Sequence, residues 1–242
     1  MRKFFKFLLR SLCLFSIGES KLFIREINLC DKGQSKILIV SDLHLNIKIE
    51  EMEKKLNQLN DIDYHVGVIL GDVFEWSYKK NQKESIELFL NFINKSEKKW
   101  FAVNGNHDTQ DTQDLLTKAG VHIFENSFID FNDIRLFGFS EDSPFLESEI
   151  IVGRKTLLLS HKPDNFINLN LFEEKAFGIA GHTHGGQIKF GNFTPIKNTK
   201  RKDMVYGFWD VDGLCGYTTS GIGYSGAPIR LGTRSEAVLI KI

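Results

Sequence analysis

Ile179-Ala180-Gly181-His182-Thr183-His184-Gly185-Gly186-Gln187 sets two imidazoles two residues apart, with glycine on both sides. Ile179 and Ala180 read as the end of a buried strand. Gly181 has no Cβ and lets the chain turn out of the sheet. The two histidines therefore stand where a strand opens into a loop, and imidazole is the commonest metal ligand among side chains. Alone, His-x-His is a weak signal, because two histidines can simply share a polar surface. Its weight comes from other stretches of the chain built the same way.

Lys36-Ile37-Leu38-Ile39-Val40 is a short, continuous, largely β-branched run, the pattern of a strand buried on both faces. It ends in Ser41-Asp42-Leu43-His44. Val66 to Leu70 is a second such run and ends in Gly71-Asp72. Trp100 to Val103 is a third and ends in Asn104-Gly105-Asn106-His107-Asp108. Helical periodicity fills the gaps, over 50–59, 83–93 and 111–119. Strand and helix thus alternate, which argues for a parallel sheet covered by helices. Each polar cluster falls at a strand's C-terminal end, the edge where open α/β sheets bind ligands.

An earlier strand is expected over 21–29. From Val121 the pattern changes. Strands over 128–131 and 134–139 flank a hairpin turn at Asn132-Asp133. Thr156 to Leu159 ends in Ser160-His161, and Phe177 to Ala180 leads into the double histidine. Strands are further expected over 187–190, 204–211, 214–220 and 237–242, with Asp212-Gly213 as a second hairpin turn. The expected fold is α/β: two β-sheets packed face to face, with helices outside in four αββα layers. No repeat or composition break marks a second domain in 21–242.

The 242 residues suit one large domain, and 31 basic against 31 acidic residues give no net charge. A general nucleic-acid binder usually carries a basic excess, so none is expected as a partner. Three scattered cysteines and no Cys-x-x-Cys pair fit a reducing compartment. Residues 1–18 are basic and apolar, with Lys3, Lys6 and Arg10 on one helical face and Phe4, Leu8, Leu12 and Phe15 on another. That run is too short and too interrupted for a span of roughly 20 apolar residues. Residues 1–20 are expected to lie on a membrane surface as an interfacial segment; a terminal helix packed on the protein's own core is the alternative.

Five of the seven histidines sit in the strand-end clusters. Carboxylate, amide and imidazole suit Mn²⁺, Fe or Zn²⁺ better than a thiolate-selective metal. The donors are too many for one open catalytic site and about right for two ions sharing a carboxylate. Two-metal sites hold their ions about 3.5–4 Å apart and clamp the attacking and leaving oxygens of an in-line displacement at phosphorus.

The set Asp42-x-His44, Gly71-Asp72, Gly105-Asn106-His107-Asp108, His161 and Gly181-His182-x-His184 resembles the signature of the calcineurin-like metallophosphoesterases. Gly185-Gly186-Gln187 and the stretch from Gly221 to Arg230 are similar to a subgroup of bacterial membrane-associated phosphodiesterases. One branch of that subgroup hydrolyses UDP-2,3-diacylglucosamine in lipid A synthesis. The resemblance implies that Asp42, His44 and His184 bind one metal, that Asn106, His161 and His182 bind a second, and that Asp72 bridges them. Mn²⁺ is the expected ion, with Fe, Zn or Co as alternatives. His107 is implied as a catalytic residue that stabilises the transition state or protonates the leaving oxygen, with Asp108 orienting it. Gly71-Asp72-Val73-Phe74-Glu75 lacks the Asp-Arg-Gly that follows in protein Ser/Thr phosphatases and the iron-binding tyrosine of purple acid phosphatases.

Lys200 and Arg201, in a basic run after the double histidine, are candidates to hold a phosphate or anionic head group. Arg230, in the glycine-rich stretch, is a third. The expected activity is hydrolysis of a phosphodiester or pyrophosphate bond in a lipid-linked nucleotide, by an enzyme peripheral to the cytoplasmic face of the inner membrane. A soluble or cyclic-nucleotide phosphodiesterase, a metal-free scaffold on the same fold, and a DNA-cleaving enzyme are the alternatives.

Overall fold

A computed structural model describes residues 21–30, 35–77, 80–141, 155–167, 169, 176–191 and 193–242. In chain order its elements are β1 (Phe23–Asn28), β2 (Lys36–Val40), α1 (Ile49–Leu59), β3 (Val66–Leu70), α2 (Gln82–Ser96), β4 (Lys99–Val103), α3 (Gln110–Lys118), β5 (His122–Ile123), β6 (Ser127–Phe131), β7 (Ile134–Gly138), β8 (Lys155–Ser160), β9 (Ala176–Ala180), β10 (Gly207–Val211), β11 (Leu214–Thr218) and β12 (Glu236–Lys241). The segment expected over residues 1–20 lies outside the described residues.

Two mixed six-stranded sheets result, ordered β1-β12-β2-β3-β4-β5 and β10-β11-β9-β8-β7-β6. Strands β2 to β5 run parallel, as do β7, β8, β9 and β11. The two-residue periodicity of a strand separates their faces. Ile37 and Ile39 of β2 join Val66, Val68, Leu136, Leu157, Leu159 and Ile179 in the core between the sheets. Leu38 and Val40 turn the other way, onto Met52 and Leu56 of α1 and Phe89 of α2. Leu158, Phe137 and Trp209 build a third core on the outer face of the second sheet, against Phe166 and Met204 of short 3₁₀ turns. The α/β sandwich expected from the sequence is present, and among the described residues its three α-helices contribute to the core on the first sheet.

Two expected strands differ. Residues 187–190 make only isolated bridges, Ile188 to Leu231 and Phe190 to Phe193. Left-handed conformations at Gln187 (φ 44°) and Gly191 (φ 61°) fold that segment into a turn. The strand expected from Met204 begins at Gly207, because Lys202–Met204 form a 3₁₀ turn. The two-residue β5 is too short for any periodicity to announce it. The two histidines outside the clusters have structural neighbours: His65 Nδ1 accepts from Lys36 N at 2.9 Å, and His122 packs edge-on against Phe101 and Phe124.

Candidate metal centre

The C-terminal ends of β2, β3 and β4 in one sheet meet those of β8 and β9 in the other. Backbone bonds join their loops: Asp42 N donates to Gly71 O, His44 N to Asp72 O, and Gly181 N to His161 O, all within 3.1 Å. Five of the seven candidate ligands have left-handed backbones: Asp42 (φ 52°), His44 (39°), Asp72 (56°), His182 (68°) and His184 (52°). Such conformations cost on the order of 1–3 kcal/mol each and persist where surrounding structure imposes them, commonly at functional sites. Close approach reinforces the constraint. A Cβ at Gly181 would overlap the Ser41 hydroxyl and come within 2.6 Å of Asp42 Oδ2, and one at Gly105 would overlap Asp72.

Two donor groups result. Asp42, His44 and His184 offer atoms that all lie within 4.8 Å of one another, and so do Asp72, His161 and His182. Asn106 joins the second group, its Oδ1 3.0 Å from His161 Nε2. Asp72 Oδ2 lies 3.3 Å from His161 Nε2 and 3.6 Å from His44 Nε2, between the two groups. Asp42, His44, Asp72, His161 and His184 are buried, whereas His182 and His107 are half-buried and Asn106 is exposed. The last three mark the open side.

The electrostatics suit cations. Burial and the neighbouring His107 push the His44 imidazole down to about 4. Burial and His161 bring His182 to about 4, and burial, His44 and Arg230 hold His184 well below the ordinary range. These rings are neutral near pH 7, the form that binds metal. Burial would raise Asp72, but His161 and His44 outweigh it and hold the carboxyl low. Burial and Asp72 push Asp42 up. Burial would lower His161, yet Asp72 and Asp42 raise it to about 10. Both His44 ring nitrogens are buried with no hydrogen-bond partner among the described residues. Buried polar atoms are rarely left so. A divalent cation would take the lone pair of one of these nitrogens, with Glu75 Oε2 3.6 Å from Nδ1, and the donor set fits such an ion.

The structure redraws three expected roles. His107 Nδ1 lies 3.0 Å from Glu75 Oε2, and the same oxygen stands 3.6 Å from His44 Nδ1. Glu75, not Asp108, is therefore placed to orient His107. Its only signal in the sequence is its position three residues past Asp72. Asp108 instead accepts from three backbone amides, Asp72 N at 2.7 Å, Gly105 N at 2.9 Å and Val73 N at 3.0 Å, and so fixes the Asp72 loop.

Arg230 was expected at the phosphate, but it is only 3% exposed. Its guanidinium donates to the carbonyls of Gly223 and Ser220 at 2.7 Å and to that of His184 at 3.2 Å, and stands 3.3 Å from His184 Nδ1. It positions the loop that carries His184. Arg201 is turned onto Asp203 through two bonds of 3.1 and 2.7 Å. Lys200 is exposed, and its backbone amide is held by Asp164 at 3.0 Å, three residues beyond His161.

Comparison with known proteins agrees with this geometry. An uncharacterized metallophosphoesterase of Campylobacter jejuni is 26% identical over 87% of this chain and 60% of its own length. One from Helicobacter pylori is 24% identical over 86% of this chain and 59% of its own, so the chain spans about three-fifths of these two relatives. One from Aquifex aeolicus is 26% identical, over 86% of this chain and 84% of its own. The family model described as calcineurin-like phosphoesterase matches residues 35–186, from the start of β2 to the turn after His184. All seven candidate ligands fall within that match, and the chain belongs to the calcineurin-like phosphoesterase family.

Proposed function

We propose that this chain hydrolyses a phosphodiester or pyrophosphate bond with two divalent metal ions, Mn²⁺ foremost and Fe, Zn or Co by the same ligands. The observation that carries the reading is the meeting of two donor groups at Asp72 Oδ2. Asp42, His44 and His184 would hold one ion and Asn106, His161 and His182 the other, with Asp72 placed within reach of both groups. Such ions would supply positive charge at the phosphoryl oxygens and lower the pKa of water there.

The chain's own groups do the rest. The neutral imidazoles of His44, His182 and His184 keep their lone pairs for the ions. Asp108 and the Gly105 close approach fix Asp72 in place. His107 stands on the open side with Nδ1 on Glu75, which leaves Nε2 to face the substrate and give a proton to the departing oxygen.

The substrate we propose is a lipid-linked nucleotide such as UDP-2,3-diacylglucosamine, reached from the cytoplasmic face of the inner membrane. Support comes from the basic, apolar residues 1–18 and from the subgroup-like motifs at 185–187 and 221–230.

The test is hydrolysis by the Mn²⁺-loaded protein of an aryl phosphodiester, the matching monoester and UDP-2,3-diacylglucosamine in detergent, with Asp72→Ala as control. The expected result is release of UMP faster than either aryl ester turns over, and its loss in the variant. Diester turnover without UMP release would reject the lipid nucleotide and keep the metal mechanism. No turnover with both metals bound would overturn the reading as a whole.

A further inference from the structure

Four of the six exposed large apolar side chains among the described residues fall in two adjoining segments. Phe190, Phe193 and Ile196 are 56%, 65% and 60% exposed, and Ile229 stands two residues from the bridge that joins Leu231 to Ile188. Phe190 and Phe193 exchange both backbone bonds, at 2.9 and 3.0 Å, around a turn at Gly191. Residues paired in that way point their side chains to the same face, so the two rings stand together. Exposed apolar residues scattered singly need no explanation, but a cluster does.

The same segment is strongly basic. Residues 188–202, Ile-Lys-Phe-Gly-Asn-Phe-Thr-Pro-Ile-Lys-Asn-Thr-Lys-Arg-Lys, hold five cationic side chains and no acid, in a chain of zero net charge. Arg201 is neutralised by Asp203. Among the described residues the side-chain ammonium groups of Lys197, Lys200 and Lys202 have no carboxylate within 4.0 Å.

Both ends of this segment are fastened to loops that carry candidate ligands. Gly186, two residues past His184, packs so closely on Thr194 that a Cβ there would overlap its methyl group. The Gln187 side chain donates to Ser225 O at 2.9 Å and Ala227 O at 3.0 Å and accepts from Ser225 N at 2.8 Å. At the far end Asp164 accepts from Thr199 Oγ1 at 2.5 Å and from Lys200 N at 3.0 Å. The segment is thus anchored to the loops that follow His184 and His161.

We propose that residues 188–202, with Ile229, dock on an anionic lipid bilayer. Phe190, Phe193 and Ile196 enter the boundary between head groups and acyl chains, while Lys197, Lys200 and Lys202 meet the acidic head groups. Charge complementarity selects this occupant. A protein face would need acids placed opposite each lysine, whereas an anionic leaflet offers negative charge at every orientation. The docking rests on these observations alone; its use, bringing a phosphate at the membrane surface to the metal centre, rests on the proposed lipid-linked substrate.

The test places a reporter on the turn of the full chain with Phe193→Trp, an exposed site where a larger ring has room. The existing Trp100 and Trp209 are buried and Trp76 is half-buried. The added indole is expected to shift its emission to the blue with phosphatidylglycerol vesicles and to be quenched by brominated acyl chains. Phosphatidylcholine vesicles should give little of either. Adding Lys197→Gln, Lys200→Gln and Lys202→Gln should weaken the apparent vesicle affinity about tenfold or more. Vesicle binding with the indole unshifted would overturn the proposal and move attachment to another segment, such as residues 1–18. A blue shift that rises with protein concentration in the absence of lipid would also overturn it, assigning the turn to a second copy. Neither readout depends on turnover, so a failed phosphoesterase reading leaves this test intact.

Discussion

Asp42, His44 and Asp72 are buried on left-handed backbones, whereas Phe193 and Ile196, within a dozen residues of His184, are more than half exposed. Each ligand-bearing loop is bonded to its neighbour in the other clusters. Among the described residues the 188–202 segment is bonded to other loops near its ends and to itself between Phe190 and Phe193. The difference separates two tasks. The floor of the centre must hold donor atoms where ions belong, so it is preorganised at a cost in backbone strain. The rim is exposed, and its side chains can change without moving the donors. On the proposed function, reaction type belongs to the first region and approach to the substrate to the second.

The sharpest way to break this contrast is a single methyl group placed in each region. Gly181 has no left-handed φ, and what its position needs is space, against Ser41 and Asp42. Gly181→Ala should overpack the floor by about 1–3 kcal/mol. That corresponds to a fall in Tm of roughly 2–12 °C. Displacement of Asp42 should also reduce bound metal, read by elemental analysis. Gly191→Ala on the rim meets no atom within 4 Å and strains only its own backbone (φ 61°), costing about 1 kcal/mol. Its metal content should stay at the wild-type level. Equal metal loss in both variants would abolish the distinction.

Legibility in the sequence follows the same division. The floor was readable because burial forces short apolar runs, and because donors of one chemical class recur at their ends. Asp42, His44, Asp72, Asn106, His161, His182 and His184 all carry that pattern, and the structure brings them together. Arg230 is not legible in the sequence, because a cation among glycines looks the same whether it faces phosphate or five backbone carbonyls. Only burial separates the two. Glu75 was missed because one carboxylate after a strand has no periodicity to mark it. The strand expected at 187–190 failed because apolar residues in a surface turn alternate as they do in a strand, and the signal cannot say which.

Glu75 lies where the two regions join, and its removal should give an intermediate effect. Its carboxylate faces His107 at 3.0 Å and His44 at 3.6 Å, and Ser77 Oγ donates to its other oxygen at 2.5 Å. Glu75→Gln keeps the shape and removes the charge. A carboxylate that orients a proton-donating histidine contributes about 10–100-fold to turnover. The expected result is a fall of that size in kcat on an aryl diester, a displaced alkaline limb of the pH profile, and unchanged metal content. Loss of metal instead would make Glu75 a support for His44 and assign it wholly to the floor.

The smallest effect separates the floor's own ligands from one another. His44 and His182 are held at about 4, so above about pH 5 they carry no proton for a metal to displace. His161 is raised to about 10 by Asp72 and Asp42, so at neutral pH it is protonated while the centre is empty. A metal that takes the lone pair of His161 must expel that proton. The sign is then fixed: apparent affinity rises with pH while His161 is protonated before binding and deprotonated after. The slope is about tenfold per pH unit between roughly pH 7 and pH 9 for one proton, a window in which Asp42, raised to about 6, is already ionised and His161 is not yet neutral. Calorimetric titration with Mn²⁺ in two buffers of different ionisation enthalpy counts the protons directly. One proton released per centre is expected. In His161→Asn the count should fall towards zero along with the affinity for the second ion. A wild-type count of zero would mean that Asp72 and Asp42 do not keep a proton on His161, and the floor would then be preorganised in shape but not in charge.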